Sequence, residues 1–127
     1  MTPRPTESEL AILQQLWSRG RATVREVNDS LNEVDGNQIG YTTTLKLLQI
    51  MTDKGLVTRD TSRRTHVYQA AVSEQHTRSG LVHRLVDGVF GGSASQLVLH
   101  ALGDHRASAE ELTAIKNLIH RLEQEEE

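Results

Sequence analysis

Three observations in the sequence predict a mainly α-helical chain that carries one small β-hairpin. Thr6–Glu9, Thr23–Glu26 and Ser108–Glu111 all show the Ser/Thr-x-x-Glu spacing. This reciprocal arrangement starts a helix by satisfying its first free N–H groups. Behind these starts, and behind Ser73, apolar residues recur at helical intervals. Between residues 56 and 69 the pattern changes to alternation, the period of a strand.

The first helix runs from Thr6 to Gly20 with Leu10, Leu13, Leu16 and Trp17 on its inner side, and Trp17 is expected as a core anchor. The second opens at Thr23 and turns Val24, Val27 and Leu31 inward. The loop Asp35-Gly36-Asn37-Gln38 leads to the third, spanning Ile39 to Gly55. Gly40 reads as a loop residue and Thr42 as the N-cap. Tyr41, Leu45, Leu48 and Met51, with Leu47 widening the stripe, form an apolar side. Thr42, Lys46, Gln49 and Asp53 line the other. Gly55 ends the helix as a C′ glycine, and Lys54 is placed favourably for its dipole.

Residues 56–60 and 65–69 read as short strands joined by the polar turn Thr61-Ser62-Arg63-Arg64, with Arg59 and His66 close to the tip. Three short helices followed by such a hairpin make a winged helix-turn-helix domain, assigned to residues 1–71. Residues 72–127 read as three further helices. Ser73 caps the first, which carries Leu81, Val82, Leu85, Val86 and Val89 as far as Phe90. Phe90-Gly91-Gly92-Ser93 breaks the pattern, and Leu97, Val98 and Leu99 mark a shorter helix. The last carries Leu112, Ile115, Leu118, Ile119 and Leu122 and ends in Glu125-Glu126-Glu127. This is more aliphatic stripe than three such helices bury alone, so the segment is expected to pair with a second copy. The dimerisation residues are then Leu81, Leu85, Leu97, Leu112, Ile115, Leu118, Ile119 and Leu122.

Composition narrows the function. A chain of 127 residues with 36% apolar and 3% aromatic residues holds a modest aliphatic core. It contains no cysteine, so disulfides, thiolate metal sites and cysteine nucleophiles are excluded. The six histidines show no ligand spacing, and no phosphate-loop or nucleophile-elbow pattern occurs. An enzyme, a metal and a cofactor are therefore not expected. No apolar run nears the roughly 18 residues of a membrane span and no signal peptide is evident, so a cytoplasmic protein without membrane insertion is expected. The net charge is −3, yet residues 1–70 hold nine Lys/Arg against eight Asp/Glu, and residues 71–127 hold five against nine.

The polar side of the third helix is nearly all hydroxyls and amides plus one lysine, a set suited to base edges and phosphate oxygens. An ordinary amphipathic helix would look much the same. The helix-turn-helix order and the basic hairpin tip favour double-stranded DNA as the partner. The candidate contacts are Arg25, Tyr41, Thr42, Thr43, Lys46, Arg63 and Arg64. A winged-helix module that binds a protein partner, or a ligand-sensing repressor with a pocket between its domains, are the competing readings.

An ordered set of short motifs adds to this. It runs Leu16-Trp17, Thr23-Val-Arg-Glu-Val27, Tyr41-Thr-Thr43, Lys54-Gly55, Arg63-Arg64 with Val67-Tyr68, Val72-Ser73, and Phe90-Gly-Gly-Ser93 before Leu97-Val98. Over nearly the whole chain this resembles the penicillinase repressor family (BlaI/MecI/CopY). The resemblance implies a winged-helix domain, a helical dimerisation domain and repression at inverted-repeat operators. Many members work beside a membrane-bound sensor that triggers cleavage of the repressor. In this chain His100-Ala101 stands where resistance repressors tend to have Asn-Phe at the cut. Ile50 stands where the family usually has an arginine, and the absence of cysteine excludes the copper-sensing branch.

Overall fold

The computed structural model describes residues 4–35 and 38–125, without the side chains of Val34 and Asp35. The first three residues, Gly36 and Asn37 of the expected loop, and Glu126 and Glu127 of the acidic end lie outside the described residues.

Six helices and three strands follow in the order α1 (Glu7–Arg19), β1 (Arg21–Thr23), α2 (Val24–Asp35), α3 (Tyr41–Lys54), β2 (Val57–Asp60), β3 (Val67–Ala70), α4 (Glu74–Val89), α5 (Ala94–Asp104) and α6 (Ala109–Glu125). All three Ser/Thr-x-x-Glu starts close as capping boxes. The Glu9 N–H donates to Thr6 Oγ1 at 3.2 Å and the Thr6 N–H to Glu9 Oε1 at 2.9 Å. The same pair of bonds forms between Thr23 and Glu26 and between Ser108 and Glu111.

The expected hairpin is one side of a three-stranded antiparallel sheet in the order β1-β3-β2. Ala22 pairs with Tyr68 on one edge of β3, and Arg59 pairs with Tyr68 on the other. Strand β1 is not evident in the sequence because its three residues are too few to show alternation, and Thr23 serves both strand and capping box. Thr65 and His66, expected in the second strand, precede β3.

The core is aliphatic and lies where α1, α2 and α3 meet the sheet. Ile12, Leu13, Leu16, Val27, Leu48 and Met51 are fully buried, and Ala22, Leu56, Val57 and Tyr68 close it from the sheet side. Burying each large aliphatic side chain stabilises by about 1.5–3 kcal/mol. Trp17 packs against this cluster half-buried, and its Nε1–H donates to the Val72 carbonyl at 3.0 Å, tying α1 to the segment after β3.

Two expectations for α3 need correction. Thr42 is not the N-cap: Gly40 occupies that position with extended backbone and no side-chain bond, and Thr42 falls inside the first turn. Tyr41 is not on the core side but 45% exposed, because the helix is rolled so that Thr44, Leu48 and Met51 face inward. Thr44, fully buried, fixes that roll. Asn28 of α2 donates from Nδ2 to Thr44 Oγ1 at 2.8 Å and to the Ile39 carbonyl at 2.8 Å. Asn32, one turn on, accepts from the Ile39 N–H at 2.7 Å and donates to its carbonyl at 3.1 Å.

The far end of α3 is held by charge. Gly55 takes the left-handed conformation, φ 83°, that Cβ-bearing residues resist. Just before it, Lys54 Nζ reaches Glu9 Oε1 at 2.8 Å. Burial pushes the Glu9 carboxyl up, but hydrogen bonds from Lys54 and Thr6, with the Lys54 charge, outweigh this and leave it below its ordinary 4.5.

The chain divides into two compact units, Met1–Gly80 and Leu81–Glu127. In the second, Val86 is buried, and helices α5 and α6 bury no residue. Gly91 and Gly92 take positive φ and end α4, and Ser93 caps α5 by accepting from the Gln96 N–H at 3.2 Å.

Glu9→Gln keeps a capping-box side chain but removes the charge. It is expected to cost about 1–3 kcal/mol at neutral pH in urea unfolding. A carboxyl depressed in the folded state contributes stability above its unfolded value and loses it as pH falls through the lowered one. The gap between wild type and variant should therefore close as pH drops below 4.5. A gap that holds constant to about pH 3 would remove the ionised pair from the account. Asn28→Ala and Thr44→Val should each cost about 1–3 kcal/mol, and the double variant less than the two combined. Strict additivity in the double-mutant cycle would show that the two side chains do not act on each other.

Candidate nucleic-acid interface

With Thr44, Leu48 and Met51 turned inward, the opposite side of α3 presents Thr42, Thr43, Lys46, Gln49 and Asp53, none of them buried. Ile50 is exposed beside them, an apolar residue at the margin of this polar face. At the helix start the Arg25 guanidinium of α2 lies over the Tyr41 ring, 5.5 Å from its centroid. Such a contact contributes about 0.5–1 kcal/mol at an exposed site. It holds a cation beside the first turn of α3.

An open cleft of about 490 Å³ separates this corner from the wing and is lined by Arg25, Tyr41, Leu45, Arg64, His66 and Tyr68 among others. The two wing arginines, adjacent in sequence, part here. Arg64 lines this cleft, whereas Arg63 lines a smaller one with Arg21 and Asp60. The structure thus brings Arg25, Tyr41 and Arg64 together, sets Thr42, Thr43 and Lys46 along α3, and places Arg63 on a separate part of the wing.

The turn that carries these arginines is held by an acid. Asp60 accepts from the Ser62 N–H at 2.9 Å and from Arg21 Nη2 at 2.8 Å. Hydrogen bonds from Ser62 first, then Arg21, pull its carboxyl down to about 2. Asp60 also joins the two edges of the sheet, since Arg21 belongs to β1 and Asp60 to β2.

Ion pairing divides the basic residues of the first unit into two groups. Arg19 pairs with Glu26 at 3.2 Å, Arg21 with Asp60, Lys54 with Glu9, and Arg78 with Glu74 at 3.2 Å. Arg25, Lys46, Arg63 and Arg64 have no ion-pair partner among the described residues. The paired cations serve the fold. Those left over, Arg4 and Arg59 aside, lie on α3, its neighbouring corner and the wing turn.

Sequence reasoning missed Asn28, Asn32 and Thr44. A signal is present: Val24, Asn28 and Asn32 repeat at intervals of four beside the apolar Val27 and Leu31, which puts amides on an inward-facing edge. Lys54 reads in sequence as a dipole partner, and its bond to Glu9, far away along the chain, is not visible there.

In the second unit Leu85, Leu112, Leu118, Ile119 and Leu122 are exposed, the last two to 50%, and Leu81, Leu97 and Ile115 are half-buried. His100 and Ala101 are exposed on α5, with the His100 ring 5.4 Å from that of Phe90. Among the described residues no helix is long and apolar enough to cross a membrane, and no cluster of metal-ligating side chains occurs.

Three comparisons agree with this architecture. The model of the penicillinase repressor family matches residues 5–121. The transcriptional regulator BlaI of Mycobacterium tuberculosis, in strains CDC 1551 / Oshkosh and ATCC 25618 / H37Rv, is 30% identical over 117 residues, covering 91% of this chain and 82% of the relative. Among solved structures, the DNA-binding domain of the repressor BlaI aligns with TM-score 0.51 at 20% identity, covering 58% of this chain and 88% of that one. The complex structure of hsRosR-S4 aligns with TM-score 0.56 at 18% identity over 96% of this chain and 92% of that one. These structural likenesses establish the winged-helix fold. The family and the curated relatives are transcriptional regulators and not enzymes. The chain belongs to the penicillinase repressor family.

Proposed function

We propose that this protein is a cytoplasmic homodimeric repressor that binds an inverted-repeat DNA operator. Residues 1–71 form the DNA-binding domain and residues 72–127 the dimerisation domain. One observation carries the reading: of four cations without an ion-pair partner among the described residues, Lys46 lies on the hydroxyl-rich face of α3, Arg25 and Arg64 line the cleft beside its start, and Arg63 sits on the adjoining wing turn. Helix α3 enters the major groove, where Thr42, Thr43 and Lys46 meet base edges or phosphates, while Tyr41 and Arg25 sit at its start. Arg63 and Arg64 reach the backbone from the wing. Ile50, in place of the family's arginine, supplies no charged contact.

The second unit supports pairing. Its exposed aliphatic residues lie on α4, α5 and α6, whose apolar sides find too little cover within one chain. Two-fold symmetry of the protein then sets two half-sites about one helical turn apart, or a multiple of it. Release by proteolysis fits the same design. A cut at His100–Ala101, exposed on α5, detaches α6 and with it Leu112, Ile115, Leu118, Ile119 and Leu122. A membrane-bound sensor protease is the partner this implies.

The duplex recovered by selection from a random-sequence pool serves as probe. Lys46→Ala, Arg63→Ala and Arg64→Ala combined should abolish specific binding in fluorescence anisotropy while the fold persists. Removing one phosphate interaction lowers the slope of log affinity against log salt by about one. Unchanged affinity and slope would exclude these residues as contacts. Leu118→Asp sets an uncompensated charge in an apolar interface at a cost on the order of several kcal/mol. Sedimentation should show a folded monomer with weaker DNA binding, and an intact dimer would move the interface elsewhere.

A further inference from the structure

We propose that the cleft between α2, α3 and the wing seats one backbone phosphate of the bound duplex, with His66 as its third cationic contact beside Arg25 and Arg64. This rests on the DNA-binding reading and assigns a role to a residue that reading leaves unused.

The cleft is built for an anion. Buried Val24 and Tyr68 and half-buried Leu45 line it together with the hydroxyl-bearing Thr23 and Thr65, and exposed Arg25, Arg64 and His66 supply its charge. Among the described residues no carboxylate lines it. The charged groups on the elements around it complete the picture. On α2, Glu26 is already engaged by the Thr23 N–H at 2.9 Å and by Arg19 at 3.2 Å. On β2, Asp60 is engaged by Arg21 and by the Ser62 N–H, and its neighbour Arg59 is a cation. Tyr41 of α3 lines the cleft, while Lys46 of α3 and Arg63 of the wing are cations outside its lining. Asp29 and Glu33 of α2 and Asp53 of α3 stand outside the cleft lining. Glu26 and Asp60 thus have partners of their own and do not compete for its cations.

The open cleft of about 490 Å³ has ample room for one backbone phosphate. Arg25 is positioned before any ligand arrives, since it rests over the Tyr41 ring. A guanidinium offers paired N–H donors to phosphate oxygens, and an imidazolium donates from either nitrogen. A phosphate seated beside His66 favours its charged form, so binding takes up a proton. Affinity for DNA must then rise as pH falls through the range where imidazoles titrate.

The test measures full-length protein on the selected duplex at about pH 6 and pH 8, each across a salt series, for wild type, His66→Gln and His66→Lys. Wild type should gain more than about threefold in affinity at the lower pH, within the limit of about tenfold per pH unit for one linked proton. Its salt slope should be steeper there by about one. His66→Gln should lose this gain and the change of slope. His66→Lys, with a fixed charge, should show the steeper slope at both pH values. Wild-type behaviour in His66→Gln assigns the proton to another histidine and overturns the proposal. Slopes that ignore residue 66 altogether overturn it as well, while DNA binding itself stands. A selection that recovers no duplex at either pH overturns the DNA-binding reading together with this one.

Discussion

The geometry of the first unit hangs on one buried amide. Asn28 sits between α2 and α3 and gives both hydrogens of its side chain away, one to the Ile39 carbonyl and one to Thr44 Oγ1. A buried amide left without partners costs about 1–3 kcal/mol by mutational measure, so only one roll of α3 keeps both bonds. Asn32 takes the remaining backbone donor of Ile39. The turn before α3 is therefore pinned by side chains from another helix, not by a cap of its own. That arrangement explains why Gly40 can serve as N-cap without a side chain. It also leaves the hydroxyls of Thr42 and Thr43 without capping duty and on the outer side, free for the DNA contacts proposed for them.

Net charge says little about this protein; the placement of charge says more. A chain at −3 is an unpromising polyanion binder when averaged over its surface. Yet three of its acids in the first unit are tied to Arg19, Arg21 and Lys54. The exposed pairs contribute little stability. Their larger effect is to keep Glu26 and Asp60 from neutralising neighbouring cations. Lys54 is instructive for the opposite reason. It ends α3, and a count of basic residues would add it to the binding face, but its bond to buried Glu9 makes it part of the scaffold.

Periodicity makes most of the fold legible. The three capping boxes close where their spacing places them, and the inward positions Val24, Val27, Leu31, Leu48 and Met51 are plain from a helical period. What stays hidden depends on partners distant in sequence. Strand β1 exists because β3 offers it an edge, and nothing within Arg21-Ala22-Thr23 announces a strand. The roll of α3 is misjudged at Tyr41 because hydropathy counts a tyrosine as apolar. Thr44, the residue that sets the roll, counts as polar, and only its bond to Asn28 makes burial tolerable. The candidate contacts on α3 are legible for the same reason as the core, since one face implies the other. The separation of Arg63 from Arg64 is not, because it depends on how the wing turn is folded around Asp60.

The two units make complementary demands on function. Helices α5 and α6 bury nothing by themselves, so their stripes of leucine and isoleucine have full value only against another surface. The first unit is nearly neutral and commits several of its cations to internal ion pairs, so a single copy has modest attraction for a phosphate backbone. Linking two such copies turns the second half-site into a local event at high effective concentration, and affinity rises with no new contact to DNA. A dimeric repressor of the kind proposed would need no ligand pocket to be switched. If each copy bound tightly alone, separating the pair would change occupancy little. On the proposed dimeric reading, weak binding by each copy would make operator occupancy depend on the pairing of α4, α5 and α6, and contacts such as those of Leu118 and Ile119 would then set the level of repression.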